Sequence, residues 1–142
     1  MRALITLFLI ALCAGHTAAA ECFDDEKLAA LMADASQGAL IYVWSPRMVY
    51  SVQNMQAASR AAEKSGLRFV ALHDPRVLAS DMPTPLMASQ AMCSTQLIAN
   101  DAMRHFPSAF VVNQRSVHRH PIVGAMPEGA WASSIVQRLA TP

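Results

Sequence analysis

The side chains able to do chemistry in this 142-residue chain are few. Cys22 and Cys93 are two of its three thiols, the third being Cys13. A thiol pair in an oxidising compartment forms a disulfide. The loop so closed would hold about 70 residues and stabilise the fold by on the order of 4 kcal/mol in the chain-entropy picture. Free thiols and a redox-active pair are the alternatives, although no neighbour of either cysteine marks a lowered thiol pKa. His118-x-His120 on a strand would set two imidazoles on one face, an arrangement that suits copper or zinc, whereas a solvated histidine pair on an exposed hairpin is the commoner case. His73-Asp74 has the composition of an acid–base pair. No nucleophile accompanies it in the sequence, so it reads as a strand-end cap.

The thiols matter only if the chain is exported, and its start predicts that it is. Arg2 supplies a positive n-region, residues 3–13 are apolar, and Ala18-Ala19-Ala20 offers a small-x-small cleavage site before Glu21. The apolar run is shorter than the roughly 20 residues of a spanning helix. Leu12 before Cys13 and Glu21 before Cys22 argue against a lipid-modified cysteine. The expectation is a signal peptide over 1–20, one domain over 21–142, and a periplasmic location. No later segment reads as a membrane span. Without Arg2, ten basic residues face ten acidic ones. There is no basic stripe, which argues against a nucleic-acid partner. No cofactor is expected.

These residues need elements to position them. Asp24 or Asp25 caps a first helix running to about residue 35, and Gly38 ends it. Residues 39–44, ALIYVW, form a continuous apolar run, which suits a strand covered on both faces. Residues 51–64 place Val52, Met55, Ala58 and Ala62 at helical spacing. Residues 67–72 read as a second strand, giving a βαβ unit. Thr84 with Pro85 starts a third helix, expected to reach residue 99 and to contain Cys93. Residues 109–112 and 117–123 read as a hairpin, and Pro127 opens a last helix. The order is βαβαββα with an extra N-terminal helix. It predicts an α/β fold with a central mixed sheet of about four strands covered by helices on both faces.

This order, together with three short motifs, resembles the thioredoxin-like superfamily. Val43-Trp44-Ser45-Pro46-Arg47-Met48 resembles the family's "FWAPWC". Phe106-Pro107-Ser108 resembles its "IPT", in which the proline is cis and lies beside the active-site turn. Residues 123–129, VGAMPEG, resemble its "VGALSKG". Each motif alone is weak; the ordered set with its spacing spans most of residues 21–142. The alignment puts Met48 where the family has its nucleophilic cysteine and Ser51 where it has the resolving one. Tyr42 falls where the family has a buried aspartate that assists proton transfer.

Dithiol exchange requires a thiolate and a second thiol to release the mixed disulfide. Met48 has no proton to lose, and no base is visible near Ser51. The resemblance therefore implies the fold without its usual activity: a binding, adaptor or chaperone-like module rather than an enzyme. It also implies a groove formed by Trp44, Ser45, Pro46, Arg47, Met48, Ser51, Phe106 and Pro107. There an extended peptide or partner protein would pair with exposed backbone. Arg47, usually aromatic in the family, could meet a partner's carboxylate. The resemblance further places the helices bearing Cys22 and Cys93 on one face of the sheet, where a bridge is reasonable. Two other functions stay open. One is a thiol-disulfide oxidoreductase using Cys22 and Cys93. The other is a copper or zinc carrier using His118 and His120, with Met48 or His105 near the groove; copper carriers of this fold use a cysteine pair and a histidine that this chain lacks.

Overall fold

In the computed structural model, residues 22–34, 37–82, 89–113 and 116–141 are described. The expected signal peptide lies outside them. The strand β1 (Ala39–Trp44) has all six residues buried, as its unbroken apolar run requires. Its side chains alternate between two cores. Ala39, Ile41 and Val43 join Phe23, Leu28, Leu97 and Phe110 on one face. Leu40, Tyr42 and Trp44 join Ala58, Ala61, Ala62, Trp131 and Ile135 on the other.

The helix α1 (Asp25–Ala33) lies over the first face. The helix α2 (Val49–Lys64) brings its alanines against the second. The strand β2 (Arg68–His73) then pairs parallel to β1, with Trp44 opposite His73. A short strand β3 (Gln90–Ala91) adds to the outer edge of β2, also parallel. The helix α3 (Thr95–Ala99) follows. Strands β4 (Ser108–Val112) and β5 (Ile122–Val123) are antiparallel to β1 and to each other in turn, and α4 (Glu128–Ala140) closes the second face. The sheet order is β3-β2-β1-β4-β5.

The α/β class and the mixed sheet agree with the expectation; three details do not. The sheet has five strands rather than about four. The extra one occupies part of the expected long third helix: Gln90–Ala91 is extended, Cys93 lies outside the helix, and α3 begins only at Thr95. Edge pairing and capping explain this. Phe23 donates its N–H to Ala91 O at 2.7 Å, and Met92 bonds to His73 O at 3.0 Å. Ser94 then caps α3 through Leu97 N, while the Asp25 carboxylate takes Ser94 Oγ, Thr95 Oγ1 and Gln96 N. Those three bonds, Ser94's foremost, hold the Asp25 pKa below the usual value. Residues 83–88, with the expected start at Thr84, lie outside the described residues.

The return strand is also shorter than expected. Only Ile122–Val123 pair, with an isolated bridge from Val117 to Val112. The two pairings differ in register by two residues, so residues 118–121 bulge out of the ladder between them.

Two glycines are needed where they stand. A Cβ on Gly38 would meet the Val112 carbonyl oxygen at 2.7 Å, so Gly38 serves close packing against β4 rather than ending α1. Gly124 has φ +96° where the chain leaves β5 for α4. Among the described residues, no helix is long and apolar enough to cross a membrane.

Candidate functional site

The turn after β1 is built from buried polar groups satisfied by one another. Met48 N–H donates to Ser45 O (3.0 Å), and Ser51 N–H to Met48 O (2.8 Å). The Ser51 hydroxyl accepts from Ser45 N at 3.2 Å and lies 2.7 Å from both Ser45 O and Met48 O, between which its single proton is shared. Tyr42 donates its phenol to Ser51 O at 2.6 Å, and burial pushes its pKa up. Ser45 and Ser51 are buried. A hydroxyl so engaged is a structural knot and not a nucleophile.

Around this knot the expected surface divides. Trp44, Ser45, Ser51 and Pro107 are buried, Pro46 and Phe106 are half-buried, and only Arg47 and Met48 are exposed. Phe106 packs against the α1/α3 core. Its bond to Pro107 is cis. The register of β1 against β4 pairs Val43 with Ser108, so Pro107 and Ser45 belong to the same sheet end. Pro107 O accepts from Gly124 N at 3.0 Å and is already used.

Besides Arg47, the turn and the start of α2 offer large, mainly apolar side chains to solvent. Met48 is 46% exposed, Val49 61% and Tyr50 71%. Leu78 is 66% exposed. The Arg47–Asp81 contact, 3.9 Å between exposed side chains, links the turn to the 3₁₀ segment Ala79–Asp81. Val49 and Tyr50 were not among the expected contact residues. The signal for them was present, since they fall outside the helical stripe that buries Ser51, Ala58, Ala61 and Ala62.

Asn54 was also not foreseen. Its amide bonds Met126 O (2.8 Å), Met126 N (3.1 Å) and Trp131 Nε1 (2.6 Å), tying α2 to the start of α4. A polar residue on an otherwise apolar helix stripe marks such a tie.

The remaining candidates stand apart from the turn. His73 Nδ1 lies 2.9 Å from Ser89 Oγ, and its ring meets the Trp44 ring edge-on at 6.3 Å. Burial pushes the His73 pKa down. The Asp74 carboxylate is spent on Arg76, taking its N (3.0 Å), Nε (2.8 Å) and a terminal nitrogen (2.9 Å). Burial alone would raise the Asp74 pKa, but these bonds outweigh it and hold the pKa low. His73 and Asp74 therefore do not act as an acid–base pair.

Cys22 and Cys93 are bridged, with Cα atoms 5.7 Å apart. Both are half-buried. The bridge staples the sheet extension in which Cys93 N donates to Phe23 O at 2.8 Å. His118 and His120 lie in the loop between the Val117 bridge and β5, not on one face of a strand. The two rings are tilted, with centroids 6.1 Å apart. Among the described residues, no three His, Cys, Asp or Glu side chains cluster to hold a metal ion. No protein-family model matches the chain, and no curated protein matches it in sequence.

Proposed function

We propose that this chain is an exported thioredoxin-like domain without dithiol chemistry, acting in the periplasm as a binding or adaptor module. The turn 45–51 beside Phe106-Pro107 meets an extended peptide or partner protein. A parallel β1–α2–β2 unit, an antiparallel β4–β5 pair and helices on both faces support the fold reading. So do the three motifs, which fall at the end of β1, the start of β4 and the end of β5.

One observation carries the functional reading. At the position of a reactive turn, the hydroxyl is locked internally, while Met48, Val49 and Tyr50 are held out to solvent. Large apolar groups grouped at one turn are the usual mark of a contact surface.

Two measurements test it. Insulin reduction by the purified protein reads as background. A photo-crosslinking side chain at position 50 captures a discrete partner from periplasmic extract, whereas the same group at exposed Val136 on α4 does not. Turnover sensitive to Cys93→Ser would instead favour an oxidoreductase working through the half-buried Cys22–Cys93 bridge. A redox titration separates the two, because a structural bond lies below about −300 mV.

A further inference from the structure

At the opposite end of the sheet, where β4 finishes, the loop 116–120 and the last turn of α4 enclose a cavity of about 640 Å³. Its polar walls carry His118, Arg119, His120 and Arg138, and among the described residues no Asp or Glu lines it. Val111 and Val117 contribute apolar wall.

Two guanidinium groups here lack partners. Arg138 Nε is fully buried and finds no acceptor among the described residues. Arg119 is exposed and forms no ion pair among them. The other arginines whose side chains are described differ: Arg47, Arg60, Arg68, Arg76 and Arg104 each face a carboxylate. Arginines that line a cavity with no carboxylate opposite them leave guanidinium donors for an anionic ligand.

We propose that this cavity binds a small organic oxyanion carrying at least two negative charges, held by Arg138 and Arg119. Guanidinium matches phosphate or carboxylate oxygens in pairs. His118 Nδ1 lies 3.3 Å from both the N and the O of His120, so it is occupied within the loop and Nε2 is the nitrogen left for a ligand. The same surroundings disfavour a metal at His118 and His120, because two arginine charges repel a cation and no Asp or Glu among the described lining residues offsets them.

The volume lies within the range of small-molecule clefts, roughly 300–1,000 Å³, and exceeds that of a bare ion. The carboxyl end of a helix repels anions, so the ligand sits over the guanidinium groups and not on the α4 axis. Thr141 Oγ1 already satisfies one of those last carbonyls, Gln137 O, at 2.6 Å. This site is independent of the turn 45–51.

The probes are inorganic pyrophosphate and citrate, titrated into the ¹⁵N-labelled protein in dilute, phosphate-free buffer. Saturable shifts are expected in the amides of residues 116–120 and in the arginine Nε–H signals. Arg138→Gln and Arg119→Gln each weaken binding about 10-fold or more. Arg104→Gln, which removes an equal charge elsewhere, leaves it unchanged. Tighter pyrophosphate assigns the ligand's anion as phosphate, and tighter citrate assigns it as carboxylate. Shifts that do not saturate by roughly 10 mM, or binding by both cavity variants as tight as by the native protein, would overturn the proposal. So would zinc saturating the His118 and His120 signals while neither anion perturbs them. Arg119 lies in an exposed loop, so its variant tests the site even if Arg138→Gln unfolds the protein.

Discussion

The two ends of the sheet dispose of their polar groups in opposite ways. At the end where β1 finishes, the polar groups of the turn are answered from within, Ser45 by Ser51, Ser51 by Tyr42, Met126 and Trp131 by Asn54, and among the described residues only the neutral indole Trp44 Nε1 is buried there without a partner. At the far end, Arg138 Nε is buried and unanswered among the described residues. Beside Arg47, the closed end shows Met48, Val49 and Tyr50 to solvent, and the open end lines a cavity with arginine, histidine and uncharged polar side chains. A surface with its hydrogen bonds consumed attracts a partner by shape and apolar area. One with donors left over attracts an anion.

The sharpest break of this contrast is Asn54→Ala. It removes the acceptor of Trp131 Nε1, which is fully buried, and both bonds to Met126. Losing about 3 kcal/mol is expected, because unsatisfied buried groups cost about 1–3 kcal/mol each. A denaturant midpoint series measures it. A loss under about 1 kcal/mol would show that the closed end does not depend on internal satisfaction.

Ser51→Ala is next, at about 2 kcal/mol, since it orphans the buried Ser45 N–H. It should leave insulin reduction at background, separating the turn's structural work from any chemistry.

Tyr42 gives a pH signature. Its folded pKa is raised by burial. Below about pH 10 both states keep the phenol proton, and no effect appears. Above that, the unfolded chain ionises first, so stability falls as pH rises. Tyr42→Phe costs about 1 kcal/mol at neutral pH and should reduce that alkaline slope. Urea midpoints between about pH 9 and 11 compare the two proteins.

Much of the closed end could be read before any coordinates. Six apolar residues in a row announce a strand covered on both faces, and a helix with small residues on its buried stripe follows. That the turn 45–51 holds no thiol can be read from the letters alone. The open end could not be anticipated, because its features arise from distant segments. Arg138 lies on a helix and His118 in a loop, and the sequence does not say that they share a cavity. Nor does it say that pairing ends at Val117 and resumes at Ile122, which takes His118 and His120 off a strand. The third helix was misplaced for a related reason: Gln90–Ala91 has no strong strand signal of its own and is extended because β2 offers it an edge.

Arg138→Met is the smallest effect and the most discriminating. Methionine keeps an unbranched stem of similar length, so the packing of the arginine stem against α4's neighbours is largely preserved. What disappears is a charged donor with no acceptor. At the closed end, deleting a hydrogen-bonding group strands its partner and destabilises the fold. Here no partner among the described residues is stranded, and the cost of burying Nε is relieved. The loss of a favourable charge near the helix's carboxyl end opposes this by a few tenths of a kcal/mol. The expected net change lies within about 0.5 kcal/mol of zero in the absence of ligand. With saturating pyrophosphate the native protein gains stability and the variant does not, because only a ligand bound to the folded state shifts the midpoint. A loss above about 1.5 kcal/mol without ligand would mean that Arg138 is answered internally after all, and the two ends would then be alike.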